Sequence, residues 1–225
     1  MEFTKGVTIE STPSGKLIPD WLDKAIIDDK ASNIVIIYPS ESARQAYLSQ
    51  ISSKKPSLDS SKHLTIKRLV RALLTDYRQP KVLDDDSILL GLVHHECTIR
   101  ANKGRFPFIH RQDNQWSLTK TQRLQKLHKE LTCLPKLPIW ETDPGVEEFR
   151  KALQKIEDKS AGIHPDLMNI RLHQLLINQE GDSLPFTFNG VDGILLLNQP
   201  PEFTPIEREI FNCLAELIPL SLIHI

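Results

Sequence analysis

The residues of this chain whose types and spacing could do chemistry begin at Ser14-Gly15-Lys16. A phosphate loop reads G-x-x-x-x-G-K-[ST] between a strand and a helix; its amides cradle phosphate oxygens, its lysine pairs with them, and its hydroxyl holds magnesium. The eight positions here are Glu10-Ser11-Thr12-Pro13-Ser14-Gly15-Lys16-Leu17. Gly15 and Lys16 fit the pattern. Glu10 replaces the first glycine and brings a carboxylate towards the phosphates, Leu17 replaces the metal-binding hydroxyl, and Pro13 removes an amide donor. These residues alone also suit an ordinary turn containing Gly-Lys, and neither reading expects efficient ATP hydrolysis. No catalytic residue is expected within the chain, and ATP with magnesium is a doubtful cofactor.

A second constellation is basic. Arg44, Lys67, Arg68 and Arg71 cluster near the carboxyl ends of two expected strands, together with Ser40 and Thr65. In a doubly wound sheet such ends open on the ligand crevice. Lys and Arg there can neutralise a nucleic-acid backbone without reading its sequence; a solvated helix face is the competing reading. Trp116, Lys120 and Arg123 could form a weak platform for stacking single-stranded bases. His94, His95 and Cys97 lack the spacing of a metal site, so packing roles are expected and no metal is assigned. Asp84, Asp85 and Asp86 read as carboxylates favoured at a helix start.

The elements that must hold these residues alternate. Strands are expected over 7–12, 33–38 and 63–66, with helices over 17–29, 41–52 and 67–78. The run NIVIIY at 33–38 is apolar throughout, as in a parallel strand buried on both faces. Ser40 is placed to cap the helix that follows. Helices are then expected over 85–101, 119–132, 145–158 and 165–178, with no convincing strand between about 80 and 185. Strand character returns at 190–197, and Thr204 with Pro205 opens a helix over 205–217. The apolar run IPLSLIHI at 218–225 suits a buried strand and reads as the end of a truncated chain. The fold class expected is α/β: a parallel sheet from residues 1–80 and 185–225, interrupted by a helical subdomain at 81–184.

Bulk properties bound the function. The 225 residues are 40% hydrophobic and 25% charged, enough for a packed core, and carry a formal net charge of -1. Nucleic-acid contact must therefore come from a local patch. Cys97, Cys133 and Cys213 are odd in number and widely spaced, which suits a reducing cytoplasm. No signal peptide is read at the N-terminus and no stretch has the length of a membrane span.

Three segments add a family resemblance. Residues 34–51 (IVIIYPSESARQAYLSQI) resemble the motif Ia region of superfamily 1 helicases, a buried strand ending in a polar turn that opens a helix. Residues 64–74 (LTIKRLVRALL) resemble the next motif, a Thr-Phe-His turn; Thr65 matches, while Ile66 and Lys67 depart from it. Residues 191–217 (VDGILLLNQPPEFTPIEREIFNCLAEL) resemble a "VDGF…FTP.E…LL..L" stretch. In order of elements the chain resembles the N-terminal part of the B subunit of AddAB-type helicase-nucleases.

That resemblance implies a RecA-like, P-loop NTPase sheet with a helical insertion. It implies work on DNA single strands or duplex ends in double-strand-break repair, beside a helicase-nuclease partner subunit. It makes Ser14, Gly15 and Lys16 a degenerate nucleotide site and Ser40, Arg44, Thr65, Lys67 and Arg68 the DNA-contact candidates. In active helicases the strand before the insertion's return ends in Asp-Glu; Asn198-Gln199 stands here, and with Leu17 in place of the metal-binding hydroxyl both halves of a magnesium site are missing. The family's nuclease motif and cysteine cluster are absent from these residues. A scaffold that docks a partner helicase subunit through the helical block, and a variant nucleotide-binding protein, are the alternatives.

Overall fold

The structure, a computed structural model, describes residues 7–11, 18–55, 57–106, 115–134, 143–178, 184–197 and 203–224. Five strands form one sheet: β1 (Val7–Ser11), β2 (Ile34–Tyr38), β3 (His63–Thr65), β4 (Gly193–Leu197) and β5 (Leu220–His224). Their spatial order is β1-β5-β4-β2-β3, and every pairing is parallel. β2 pairs with β4 from Ile34 opposite Gly193 to Ile37 opposite Leu196. The strand expected at 190–197 thus lies beside the one expected at 33–38, across more than 150 residues of chain. The terminal apolar run forms β5, an interior strand between β1 and β4.

Period-two alternation explains why β2 and β4 are apolar at every position. Ile34, Ile36, Tyr38, Leu195 and Leu197 point to one face, where they meet Leu22 and Ile26 of α1 (Asp20–Ile27) and Tyr47 and Ile51 of α2 (Glu41–Ser52). Val35, Ile37, Ile194 and Leu196 point to the other. There they meet α3 (Ile66–Asp76), α7 (Met168–Ile177) and α8 (Pro205–Leu217) through Leu69, Leu73, Leu172, Leu176, Ile210 and Leu214.

A third core is separate from both. α4 (Ser87–Asn102), α5 (Leu118–Thr132) and α6 (Pro144–Ser160) enclose Val93, Cys97, Leu124, Phe149, Leu153 and Ile156. Phe106 and Trp116 close one end of it, their ring centroids 4.7 Å apart. Glu96 is buried against this core and held by Lys155 at 2.9 Å and Lys159 at 2.5 Å. α7 lies within the stretch 81–184 but packs on α3 and α8, so it covers the sheet. Its apolar stripe is equally compatible with either surface, which is why its sequence pattern did not distinguish them.

The incoming and outgoing chains of the helical block meet at a neck. Val82 bridges Ile163 in parallel. The Ile163 amide donates to Lys81 O and the Leu83 amide to Ile163 O, both at 2.9 Å. Gly162 is needed there: a Cβ on it would come within 2.5 Å of Leu83 Cδ2 and 3.0 Å of Lys81 O.

Candidate functional site

Parallel pairing puts the carboxyl ends of all five strands on one edge of the sheet. Two adjacent strands there send their chains in opposite directions: β2 continues into α2 on one face, β4 into α8 on the other. Such a switch point opens a crevice outside the strand ends. The crevice beside it has a volume of about 1070 Å3 and is lined by Pro39, Ser40 and Glu41 after β2, by Leu64 to Arg68 and Arg71 around β3 and α3, by Asp84 and Asp85, and by Phe203 and Glu207 at the start of α8.

Two helices start at this crevice. Ser40 caps α2, its Oγ accepting from the Ala43 amide at 3.1 Å. Thr65 caps α3, its Oγ1 accepting from the Arg68 amide at 3.4 Å. The partial positive charge of both helix ends is directed there, beside Lys67, Arg68 and Arg71, and favours an anion, while Glu41, Asp84, Asp85 and Glu207 line the same space and oppose one. Ser40 and Thr65 thus shape the site chiefly by starting helices.

Of the sequence-derived DNA candidates, Ser40, Thr65, Lys67 and Arg68 line this crevice together. Arg44 does not. It is 9% exposed, donating through Nε to His63 O at 2.6 Å and through a terminal nitrogen to Glu41 Oε1 at 2.9 Å. It fastens α2 to β3 and holds Glu41 in place.

Glu41 is the residue that sequence reasoning missed. Its carboxylate accepts two hydrogen bonds from Arg68, each 2.9 Å, in a fork-to-fork pair. Hydrogen bonding from Arg68, with the Arg44 charge behind it, holds this carboxyl below its usual range. The crevice therefore sets three cations, Lys67, Arg68 and Arg71, against four carboxylates, Glu41, Asp84, Asp85 and Glu207, with Arg68 held by Glu41. The i,i+3 spacing of Glu41 and Arg44 was the one signal available in the sequence. Asp86 alone caps α4, accepting from the amides of Ile88 and Leu89. Asp84 and Asp85, read in the sequence as helix-start charges, line the crevice, and Asp84 lies 3.8 Å from Arg71.

Behind the crevice, His63 is buried and shares a 2.7 Å hydrogen bond with the Tyr38 hydroxyl. Burial, reinforced by the Arg44 charge, pushes its pKa down to about 4. The unfolded chain takes a proton first, near pH 6.5, so stability from neutral His63 is complete above that pH. It is lost as pH falls from 6.5 towards 4, at roughly 1.4 kcal/mol per pH unit. Urea midpoints at pH 7 and pH 5 should show His63→Gln losing about 2 kcal/mol less than the parent chain across that interval. Equal losses in the two proteins would remove His63 as an acid-sensitive group.

The remaining candidates do not join the site. Ser14, Gly15 and Lys16 lie outside the described residues, as do Asn198 and Gln199. Trp116 is not a stacking platform: it is 6% exposed, stacked on Phe106, and its Nε1 donates to Thr121 Oγ1 at 2.9 Å. His94 meets the same hydroxyl at 3.0 Å, and Cys97 is buried. Among the described residues no group of three or more His, Cys, Asp or Glu could hold a metal, and no helix is long and apolar enough to cross a membrane.

Fold and site together define an α/β chain with an all-parallel sheet and a charged crevice at its carboxyl edge. No protein-family model matches the chain, and no curated protein matches it.

Proposed function

We propose that this chain is a RecA-like, helicase-like domain that binds DNA non-specifically without turning over ATP, the N-terminal part of a cytoplasmic helicase-nuclease subunit acting in DNA repair. The observation that carries the reading is convergence. Ser40, Thr65, Lys67 and Arg68 come from two segments chosen for their helicase resemblance, and they line one crevice beside two helix N-termini. The third resembling segment supplies β4 and α8, and thereby Glu207 on the opposite wall. A silent ATPase follows from the sequence: Leu17 stands where a metal-binding hydroxyl is needed, and Asn198-Gln199 where an acidic pair is needed.

Fluorescence anisotropy with single-stranded DNA over a salt series tests this. Affinity should fall linearly with the logarithm of salt concentration. Lys67→Ala should weaken binding about fivefold for every sequence and lower the salt slope by about 0.7. Salt-independent binding, or an unchanged Lys67→Ala variant, would overturn the reading.

A second reading is a scaffold that docks a partner helicase subunit through the helical block. It is favoured by Ile88 and Leu92, which stand 71% and 44% exposed one turn apart on α4. Capture of such a subunit by a chain without DNA affinity would select it.

A further inference from the structure

We infer that the outward face of α5 is a second phosphate-contact surface, continuing the crevice and taking the backbone of a nucleic-acid strand too long for the crevice alone. The inference rests on the crevice being a DNA site. Thr121, Leu124, His128 and Thr132 turn inward, which leaves Arg123, Lys126 and Lys129 exposed. Lys120 adds a fourth cation, its Nζ 5.8 Å from the centre of the Trp116 ring. Three-residue steps on a helix advance about 4.5 Å and fall about 60° short of a full turn, so these charges wind round the outward half of α5 with Arg123 and Lys126 at its centre. The acidic side chain on this face is Glu130, and its approach to Lys126 is a loose 4.0 Å. Arg123 has no ion-pair partner among the described residues.

The stripe also has a fixed relation to the crevice. Cys133, which ends α5, accepts from the Ile206 amide at 2.9 Å, so the helix is tied to the first turn of α8. Phe203 and Glu207 at that turn form one crevice wall. The carboxyl end of α5 therefore lies beside the crevice wall that carries Glu207, and the exposed cations run from there along the helical block.

A lipid surface suits this face poorly. A helix lying in a membrane interface directs an apolar stripe outward, whereas the apolar stripe of α5 is used in the block's core. Its exposed apolar side chains, Leu118 and Leu127, are more than two turns apart. Backbone phosphates need only spaced cations.

The test compares oligothymidines of about 6 and about 16 nucleotides, lengths that bracket common single-strand sites, binding to the whole chain and to Arg123→Gln/Lys126→Gln. The parent should bind the longer strand more tightly and with a steeper salt slope. The variant should lose about tenfold on the longer strand and about 1.4 in slope, with the shorter strand unaffected. A circular dichroism spectrum matching the parent shows that the variant is folded, and Arg123→Lys/Lys126→Arg should restore binding. If both strands bind the parent equally, or the variant holds the longer one as well as the parent does, the α5 inference fails and the crevice reading stands. If neither strand binds, both fail. Retention on phosphatidylserine vesicles at the same salt, abolished in the variant, would reassign the face to lipid.

Discussion

Phe149→Ala should cost about 3–5 kcal/mol and open the helical block while the sheet stays closed. Phe149 is fully buried on α6, among Val93, Leu124, Leu153 and Ile156, with its ring 5.4 Å from that of His128. Removing it leaves a cavity that neighbouring side chains fill only in part. The block has its own core, distinct from the two cores on the sheet, so the loss should fall locally. Amide exchange in α4, α5 and α6 should accelerate by about a hundredfold or more, while β2 and β4 keep their protection. Equal acceleration in the strands would show that block and sheet unfold as one unit.

Glu41→Gln should raise affinity for single-stranded DNA by about tenfold, against the usual direction for a mutation in a binding site. Glu41 occupies the guanidinium fork of Arg68 with the geometry a phosphate would take. A phosphate entering the crevice must displace it or share Arg68 with it. Glutamine keeps an oxygen for Arg44, which remains bonded to His63 O, but it removes the negative charge that competes for Arg68. Acidification should mimic the change only well below the ordinary carboxylate range, because Arg68 holds this carboxyl down. Any stability from the Glu41 contacts is likewise present above the usual carboxylate pKa and lost as pH falls through the depressed one. Unchanged or weaker binding by the variant at pH 7 would mean that Arg68 does not contact the backbone.

Local elements were legible in the sequence wherever side chains determine them. α2 and α8 run over the residues expected, because Ser40 and Thr204 cap them and Thr204 with Glu207 forms a reciprocal capping box. The helix expected over 165–178 divides into a tight 3-10 turn at Pro165–Leu167 and α7, since His164 caps the turn through its ring nitrogen. α1 begins later than the expected residue 17, with Pro19 as its cap instead of lying in its first turn. Strand order was not legible: apolar runs show that β2, β4 and β5 are buried but carry no record of which lies beside which. The site divides in the same way. Sequence locates cations at strand ends, but whether a cation faces solvent or a carboxylate is a tertiary matter. Lys67 and Arg44 look alike in sequence, yet one lines the crevice and the other is enclosed by His63 and Glu41. Trp116 was misjudged for a related reason, since an aromatic beside basic residues packs inward when a neighbouring hydroxyl can satisfy its N–H.

The neck at Val82 and Ile163 makes the three-helix unit a near-detachable cassette, whose removal would also free the Ile206 amide now bonded to Cys133 O. Adjacent parallel segments lie about 4.8 Å apart, so the chain departs and comes back at nearly one point. A few glycines could splice the two sides with little change in closure entropy, and units of other sizes could be grafted there without disturbing strand register.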